Sequence, residues 1–403
     1  MASLSPLTLV VINQNSGQAW EISTLVRNVS YTTVEPGGCE TATFNIPVSF
    51  TDRTLIIPNY LQLFYQLRIL DEQGCVWIGR LEEIGLDIDE NGGQWKVTAY
   101  GYGVRLNDAV TTKYNLRNKN TMTQVAVDAL NLLATENNVS IIQNITATGY
   151  TINNSGDTTL DTITAAGLLT ISRAFGTGGG LRSPIQFTIY PDISGGVTAT
   201  IRAFPTGNPD LRARLQDFGR ASFSANGRSY ANRISMLYDS GNSVLTAQNT
   251  ALQAAFPNGV NMVRTLTVIF NQLHDATDAG QMANTLLNWA SAIRLSASGS
   301  YTTGGSTRFR NESTGQWVVT PRRVRAGQYM ALSDMVTLSS GSTNLAFNNS
   351  FLIARTRWDE DSNQLTITPE NFESAAERAW AQVRGTIMGR FTDRKSTRLN
   401  SSH

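Results

Sequence analysis

Charge, lysine and histidine are all scarce in this 403-residue chain. Charged residues make up 16% of the sequence, against about 25% in an ordinary globular chain. Basic and acidic residues nearly cancel, 32 against 31, for a formal net charge of +1. No overall basic field gathers nucleic acid, and no acidic field repels it. Lys96, Lys113, Lys119 and Lys395 are the only lysines, so arginine supplies the remaining positive charge. Guanidinium is weakly hydrated and pairs through a planar fork, so a polar surface with arginine as its cation suits packing against neighbours. Lineage bias fits the same composition equally well.

His274 and His403 are the only histidines. A two-histidine zinc site, a histidine general base and a Cys–His pair would all rest on His274. Cys39 and Cys75 are the only cysteines. They cannot make a disulfide framework; two buried thiols are expected, with a single bridge as the alternative. No apolar run approaches the length of a membrane-spanning helix, and the N-terminus has no basic region before its short apolar stretch Leu7–Ile12. HExxH, the nucleophile elbow and CxxC are all missing. Gly176–Gly180 is followed by no Gly-Lys-Ser/Thr and reads as a loop.

Carboxylates are the remaining candidates for chemistry. A glycosidase needs two of them across a cleft, one held protonated. Asp157 and Asp161 more simply flank a helix start, and Asp359, Glu360 and Asp361 more simply solvate a turn. Asp87, Asp89 and Asn91 run into Gly92 as a calcium loop would, but no glutamate closes the ligand set. The expectation is no catalytic residue, no metal ligands and no cofactor.

What the chain does have is alternation. Val26–Val34, Glu40–Pro47, Gln62–Leu70, Cys75–Glu83, Ile84–Ile88 and Trp95–Tyr100 alternate polar and apolar residues, with turns at Asp71–Gly74 and Glu90–Gly93. Period 2 over short segments predicts an antiparallel sheet, and closure into a small barrel would hide its edges. Thr121 and Gln124 fit a capping box, and Val125, Ala126, Ala129, Leu130 and Leu133 then recur at helical spacing. Thr158–Leu169 reads as a further short helix and Asp210–Asp217 as a helical turn. Ile185–Tyr190, Val197–Arg202, Ala231–Tyr238 and Ser243–Ala247 read as strands. Thr277–Ile293 is a helix with Asp275 and Asp278 at its positive end. Trp317–Val319, Tyr329–Leu332, Phe351–Arg357 and Gln364–Thr368 are late strands. Arg322, Arg323 and Arg325 form the sharpest basic cluster, which suits a polar rim contact or a loop charge pair better than a nucleic-acid patch with so few neighbouring aromatics.

The expected fold class is α+β and β-rich, with two small β-barrel-like domains and mixed helical and strand insertions. Residues 7–106 form the first barrel-like domain, 107–230 a mixed α/β insertion, and 231–375 the second barrel-like domain with its helix at 277–293. A C-terminal segment covers 376–392. Residues 393–403 change composition abruptly and read as appended, non-native sequence.

Phe64–Asp108 resembles the hub, or tail-tip baseplate, proteins of tailed bacteriophages. Arg68-Ile69, then Ile78-Gly79-Arg80 after a turn, then Ala99-Tyr100-Gly101 follow the pattern of that family. Ala231–Gly241, Asp278–Ile293, Val319–Met335 and Phe351–Glu370 are similar to its later elements in the same order. The resemblance implies a structural virion protein at the distal end of the tail. It implies a homotrimer that joins the tail tube or distal tail protein to a central spike or fibre, with DNA passing through the channel without specific binding. Two barrel-like domains per chain would then give a pseudo-sixfold ring. Arg68, Arg80 and Arg357 are candidate subunit-contact residues; outward-facing strand positions account for Arg68 and Arg80 equally well. The rival functions are a tail-associated cell-wall hydrolase using carboxylates and a carbohydrate-binding adhesin, which would show exposed Trp or Tyr on one concave face.

Overall fold

A computed structural model describes residues 5–48, 58–89, 92–116, 121–147, 149–153, 159–178, 185–204, 208–218, 224–225, 231–250, 263–270, 273–290, 295–296, 301–333 and 350–370. The chain opens with β1 (Thr8–Ile12), β2 (Ala19–Glu21), β3 (Arg27–Val34), β4 (Gly37–Val48), β5 (Gln66–Asp71), β6 (Gly74–Asp89) and β7 (Gly92–Gly101). Their order in space is β2-β1-β5-β6-β7-β4-β3, antiparallel throughout. The two expected segments at 75–83 and 84–88 are one continuous strand, β6, with a bulge between Leu81 and Glu83. The β5–β6 turn requires glycine at Gly74. Its φ is +122°, and a Cβ there would lie 2.5 Å from the Ile193 carbonyl oxygen.

The middle of the chain mixes elements. Helix α1 (Tyr102–Arg105) leads to β8 (Val110–Asn115), α2 (Met122–Glu136) and β9 (Ile141–Ile145), then to β10 (Thr159–Thr164) and α3 (Ala165–Phe175). The Thr121 hydroxyl caps α2 by accepting the Gln124 amide N–H at 3.1 Å. The Gln124 side chain is turned to Asp128 (3.1 Å), so only half of the expected capping box is seen. The helix expected at Thr158–Leu169 begins later. Thr159–Thr164 pairs with β8 as a strand, and the helix starts at Ala165 with Thr164 as its cap. A hairpin of β11 (Ile185–Pro191) and β12 (Val197–Ala203) follows. The helical turn expected at 210–217 is strand β13 (Leu211–Arg214) and then a single 3-10 turn.

A separate three-stranded sheet has β15 (Arg233–Tyr238) between β16 (Ser243–Gln248) and β17 (Thr265–Ile269). A short pair joins β14 (Ser224–Ala225) to β18 (Leu295–Ser296). Helix α4 (Ala276–Ala290) carries Ala279, Met282, Ala283 and Leu286 fully inside, and Asp275 caps its first turn. Gln281 and Thr285 donate to the Phe175 carbonyl, tying α4 to the end of α3. The C-terminal strands are β19 (Tyr301–Gly304), β20 (Phe309–Asn311), β21 (Gln316–Val319), β22 (Tyr329–Ser333), β23 (Ser350–Asp359) and β24 (Gln364–Pro369).

The expected closed barrels are not seen. Among the described residues the strand pairings form no closed ring; they make one branched sheet of 17 strands, two pairs and one trio. The physical reason lies at β3. Its free edge is covered by β23, with Arg357 opposite Thr32 and Trp358 opposite Tyr31. A distant hairpin thus removes the exposed edge that barrel closure would otherwise have removed. The architecture is mixed α and β, rich in strand, with several sheets.

Candidate functional site: the polar face of the central sheet

The strands from β5 through β6, β7, β4, β3, β23 and β24 to β19 form a sheet with two opposite characters. On one face, Leu81, Ala99, Ala42, Tyr31, Trp358 and Leu365 follow one another across adjacent strands. All are buried. The neighbouring row, on the other face, is polar apart from the Tyr100 ring, with Gln66 and Thr32 buried. Gln66 lies opposite Arg80, Arg80 opposite Tyr100, and Tyr100 opposite Thr41. The Thr41 and Thr32 hydroxyls meet at 2.7 Å. Thr32 faces Arg357, Arg357 faces Thr366, and Thr366 faces Thr302. With strands about 4.8 Å apart, this row runs about 34 Å. The next row continues the pattern with Thr98, Thr43, Ser30, Asp359 and Gln364.

Arg80, Lys96, Arg355 and Arg357 on this face stand beside carboxylates of the same chain. Arg80 donates to Glu82 at 2.8 Å, and Arg105 reaches the same oxygen at 2.9 Å. Lys96 lies 2.6 Å from Asp87. Arg355 touches Glu40 at 2.8 Å, and Arg357 lies 3.9 Å from Asp359. The Lys96 hydrogen bond, then its charge, holds the Asp87 carboxyl below the usual range. Asp359 is lowered first by the Ser362 backbone N–H. The Tyr100 hydroxyl donates to Glu83 (2.9 Å), which pushes its pKa up. A shallow hollow of about 380 Å³ sits where β4, β3, β23 and β24 cross the face, floored by Thr32, Thr41, Thr43 and Thr366 between Arg355 and Arg357.

The three expected contact arginines share this face. Arg68 is bonded to Gln66 at 2.8 Å under the β11–β12 turn. Arg80 also stacks 5.0 Å from the centre of the Phe64 ring. Arg357 is open, its side chain 60% exposed.

The conspicuous basic cluster is spent inside the molecule. Arg322 is almost fully buried between Glu360 (2.5 Å) and the Ser5 carbonyl. Arg323 grips Asp71. Arg325 lies 4.8 Å from the Tyr190 ring centre. A groove of about 1050 Å³ beside it is lined by residues of both signs, among them Arg202 paired with Asp210 at 3.2 Å.

The other candidates for chemistry do not converge. His274 pairs with Asp239 at 3.0 Å on the surface. Asp359 and Glu360 serve their own turn and Arg322. Asp157, Asn91 and the side chains of Asp89 and Asp161 lie outside the described residues. No cluster of three metal-ligating side chains occurs among the described residues. None of their helices is long and apolar enough to cross a membrane. Single-sequence reasoning missed the polar face, because its rows join strands from both ends of the chain. The signal available was the Ser/Thr/Arg alternation within β3, β4, β23 and β24.

No family model matches the sequence, and no curated protein does. Solved structures do. The 43 kDa tail protein of prophage MuSo2 from Shewanella oneidensis is 12% identical, with TM-score 0.53, covering 92% of this chain and 99% of its own. A tail protein from Neisseria meningitidis MC58 is 10% identical, with TM-score 0.53, over 90% of this chain and 95% of that one. Prophage tail protein gp18 from Listeria monocytogenes EGD-e is 11% identical, with TM-score 0.50, over 94% and 99%. This chain has the fold of these prophage tail proteins.

Proposed function

We propose that the chain is a structural component of a phage tail tip or baseplate. In this reading it forms a trimeric hub at the distal end of the tail, joining the tube to a central spike or fibre. The observation that carries the reading is the fold likeness to prophage tail proteins along nearly the whole length of both chains. The polar sheet face supports it. A channel wall that lets DNA slide should be hydrated and should offer no free cations, since each phosphate contact adds salt-dependent affinity. Threonine and serine hydroxyls fill most of this face, Arg80, Lys96 and Arg355 are held close to carboxylates, and Asp359 stands 3.9 Å from the exposed Arg357, which favours both conditions.

The proposal includes no catalysis and no cofactor. The hydrolase alternative needs two carboxylates facing one cleft, one of them held protonated. Asp192, Asp210 and Glu312 share the groove beside Arg325, but Asp210 and Glu312 pair with Arg202 and Arg212. Hydrogen bonds to Ser194 and Arg212 hold Asp192 and Glu312 below the usual carboxylate range. The adhesin alternative needs exposed aromatics on a concave face; among the described residues Trp77, Trp95 and Trp358 are buried and Trp20 and Trp317 are half-buried. In this reading Arg357, the open member of the three arginines, faces the channel, and Arg68 and Arg80 are the proposed subunit contacts. The test is the copy number and position of the chain in assembled tails, by cryo-electron microscopy or cross-linking. Incubation of the purified chain with peptidoglycan tests the catalytic alternative; turnover lost in Asp359→Asn would favour the hydrolase.

A further inference from the structure

Arg355 and Arg357 project from β23 two residues apart, with side chains 52% and 60% exposed. Two strand residues span about 7 Å, close to the separation of neighbouring phosphates on one nucleic-acid strand. Between and beside them lie hydroxyls of Thr32, Thr43, Thr366 and Thr368. Two guanidiniums over a floor of hydroxyls have the donor set of a phosphodiester cradle. Each guanidinium nevertheless has an acid of its own chain beside it. Glu40 Oε2 lies 2.8 Å from Arg355 Nη2, a close ion contact, and Asp359 Oδ2 lies 3.9 Å from Arg357 Nη2.

We infer that Glu40 and Asp359 are built-in counter-ions that compete with phosphate for Arg355 and Arg357, so that this face touches duplex DNA without retaining it. The inference deepens the channel reading proposed above and rests on it. A free arginine gains affinity by displacing ions condensed on DNA. An arginine already held by a carboxylate must first give up that partner, and the carboxylate left behind repels the phosphate. Asp359 is itself fixed by the Ser362 N–H and hydroxyl, both at 2.9 Å, so it cannot swing away to make room. The Lys96–Asp87 pair repeats the arrangement on the same face.

The test uses the full chain and a labelled DNA duplex over a range of salt concentrations. Wild type is expected to show no retention at physiological ionic strength. Glu40→Gln with Asp359→Asn keeps the side-chain shapes and removes both charges. It should tighten binding on the order of tenfold or more and steepen the log–log salt dependence by about 2, one unit per phosphate contact. Adding Arg355→Gln and Arg357→Gln should abolish the gain. Glu40→Gln alone leaves the β23–β24 turn untouched and should steepen the slope by about 1. Glu21→Gln with Glu136→Gln makes the same charge change at exposed carboxylates that hold no arginine or lysine among the described residues, and should leave binding at the wild-type level. Thermal melting checks that each variant is folded. No gain in the folded Glu40→Gln and double variants, an equal gain in the Glu21/Glu136 control, or tight binding by wild type would overturn the inference. A gain on the face together with a position away from the tail tip would sink the hub reading and leave the counter-ions standing. Three copies at the tip with no gain would do the reverse.

Discussion

Arg323 holds Asp71 by two prongs: its Nε donates to Oδ2 at 2.9 Å and its Nη2 to Oδ1. Asp71 ends β5 near the start of the chain and its carboxylate is fully buried; Arg323 belongs to the 3-10 turn after β21. This pair and the adjacent Arg322–Glu360 pair pin the N-terminal sheet, the C-terminal hairpin and the turn to one another. Removing one partner of such a pair leaves a buried charge unanswered. Arg323→Ala is expected to cost about 3–5 kcal/mol. Chemical denaturation measures it, and a cost under about 1 kcal/mol, as for an exposed pair, would show that the bond is not structural.

Leu67 lies on the buried side of β5, fully inside. Leu67→Asp would place a carboxylate there without a partner and should destabilise the fold by several kcal/mol. Thermal melting reads the effect; an unchanged midpoint would remove Leu67 from the core.

Cys39 and Cys75 are both free and buried. Burial pushes the Cys39 thiol up to about 12 and the Cys75 thiol up to about 11. The thiolate is the reactive form. A disulfide-exchange reagent at neutral pH should therefore titrate neither thiol in the native protein and both after denaturation. Rapid native reaction would contradict the burial, and silence after denaturation would indicate a bridge.

Asp359 provides a pH test with a definite sign. Its folded carboxyl is lowered, first by the Ser362 backbone N–H. Its stabilising contribution is present above the unfolded-state pKa and is lost as pH falls through the lower folded value. Below about pH 4 the wild-type urea midpoint should therefore fall faster than that of Asp359→Asn. Parallel curves would show that the carboxylate gains nothing from its turn.

The strands of the N-terminal sheet were legible because each alternates on its own: Thr41, Thr43 and Asn45 face out while Ala42, Phe44 and Ile46 face in. The α2 and α4 stripes were legible for the same reason, one apolar face at helical spacing. The β10–α3 boundary was not. Leu160, Ile163 and Leu168 serve a strand and then a helix, and an apolar run cannot reveal where the period changes. The β3–β23 pairing was also hidden. Nothing local in Tyr31 or Trp358 specifies the other, and that pairing replaced the expected barrel closure with a shared sheet. The polar face followed from it: Arg80 and Arg357 were singled out separately, and only the register puts them in one row. The basic triplet looked like a surface feature because its acidic partners, Asp71 and Glu360, lie far away in sequence.

The most direct measurement is the location and number of copies of this chain in intact tails. Cryo-electron microscopy of assembled particles, with cross-linking to identify the chain, supplies both. Isolated chains can remain monomeric until the neighbouring ring is present, so the particle and not the purified subunit is the proper sample. Three copies at the distal end of the tube, with the Thr32–Arg357 face toward the channel, are expected. Six copies, a place on the capsid, or that face turned to the outer solvent would contradict the hub assignment.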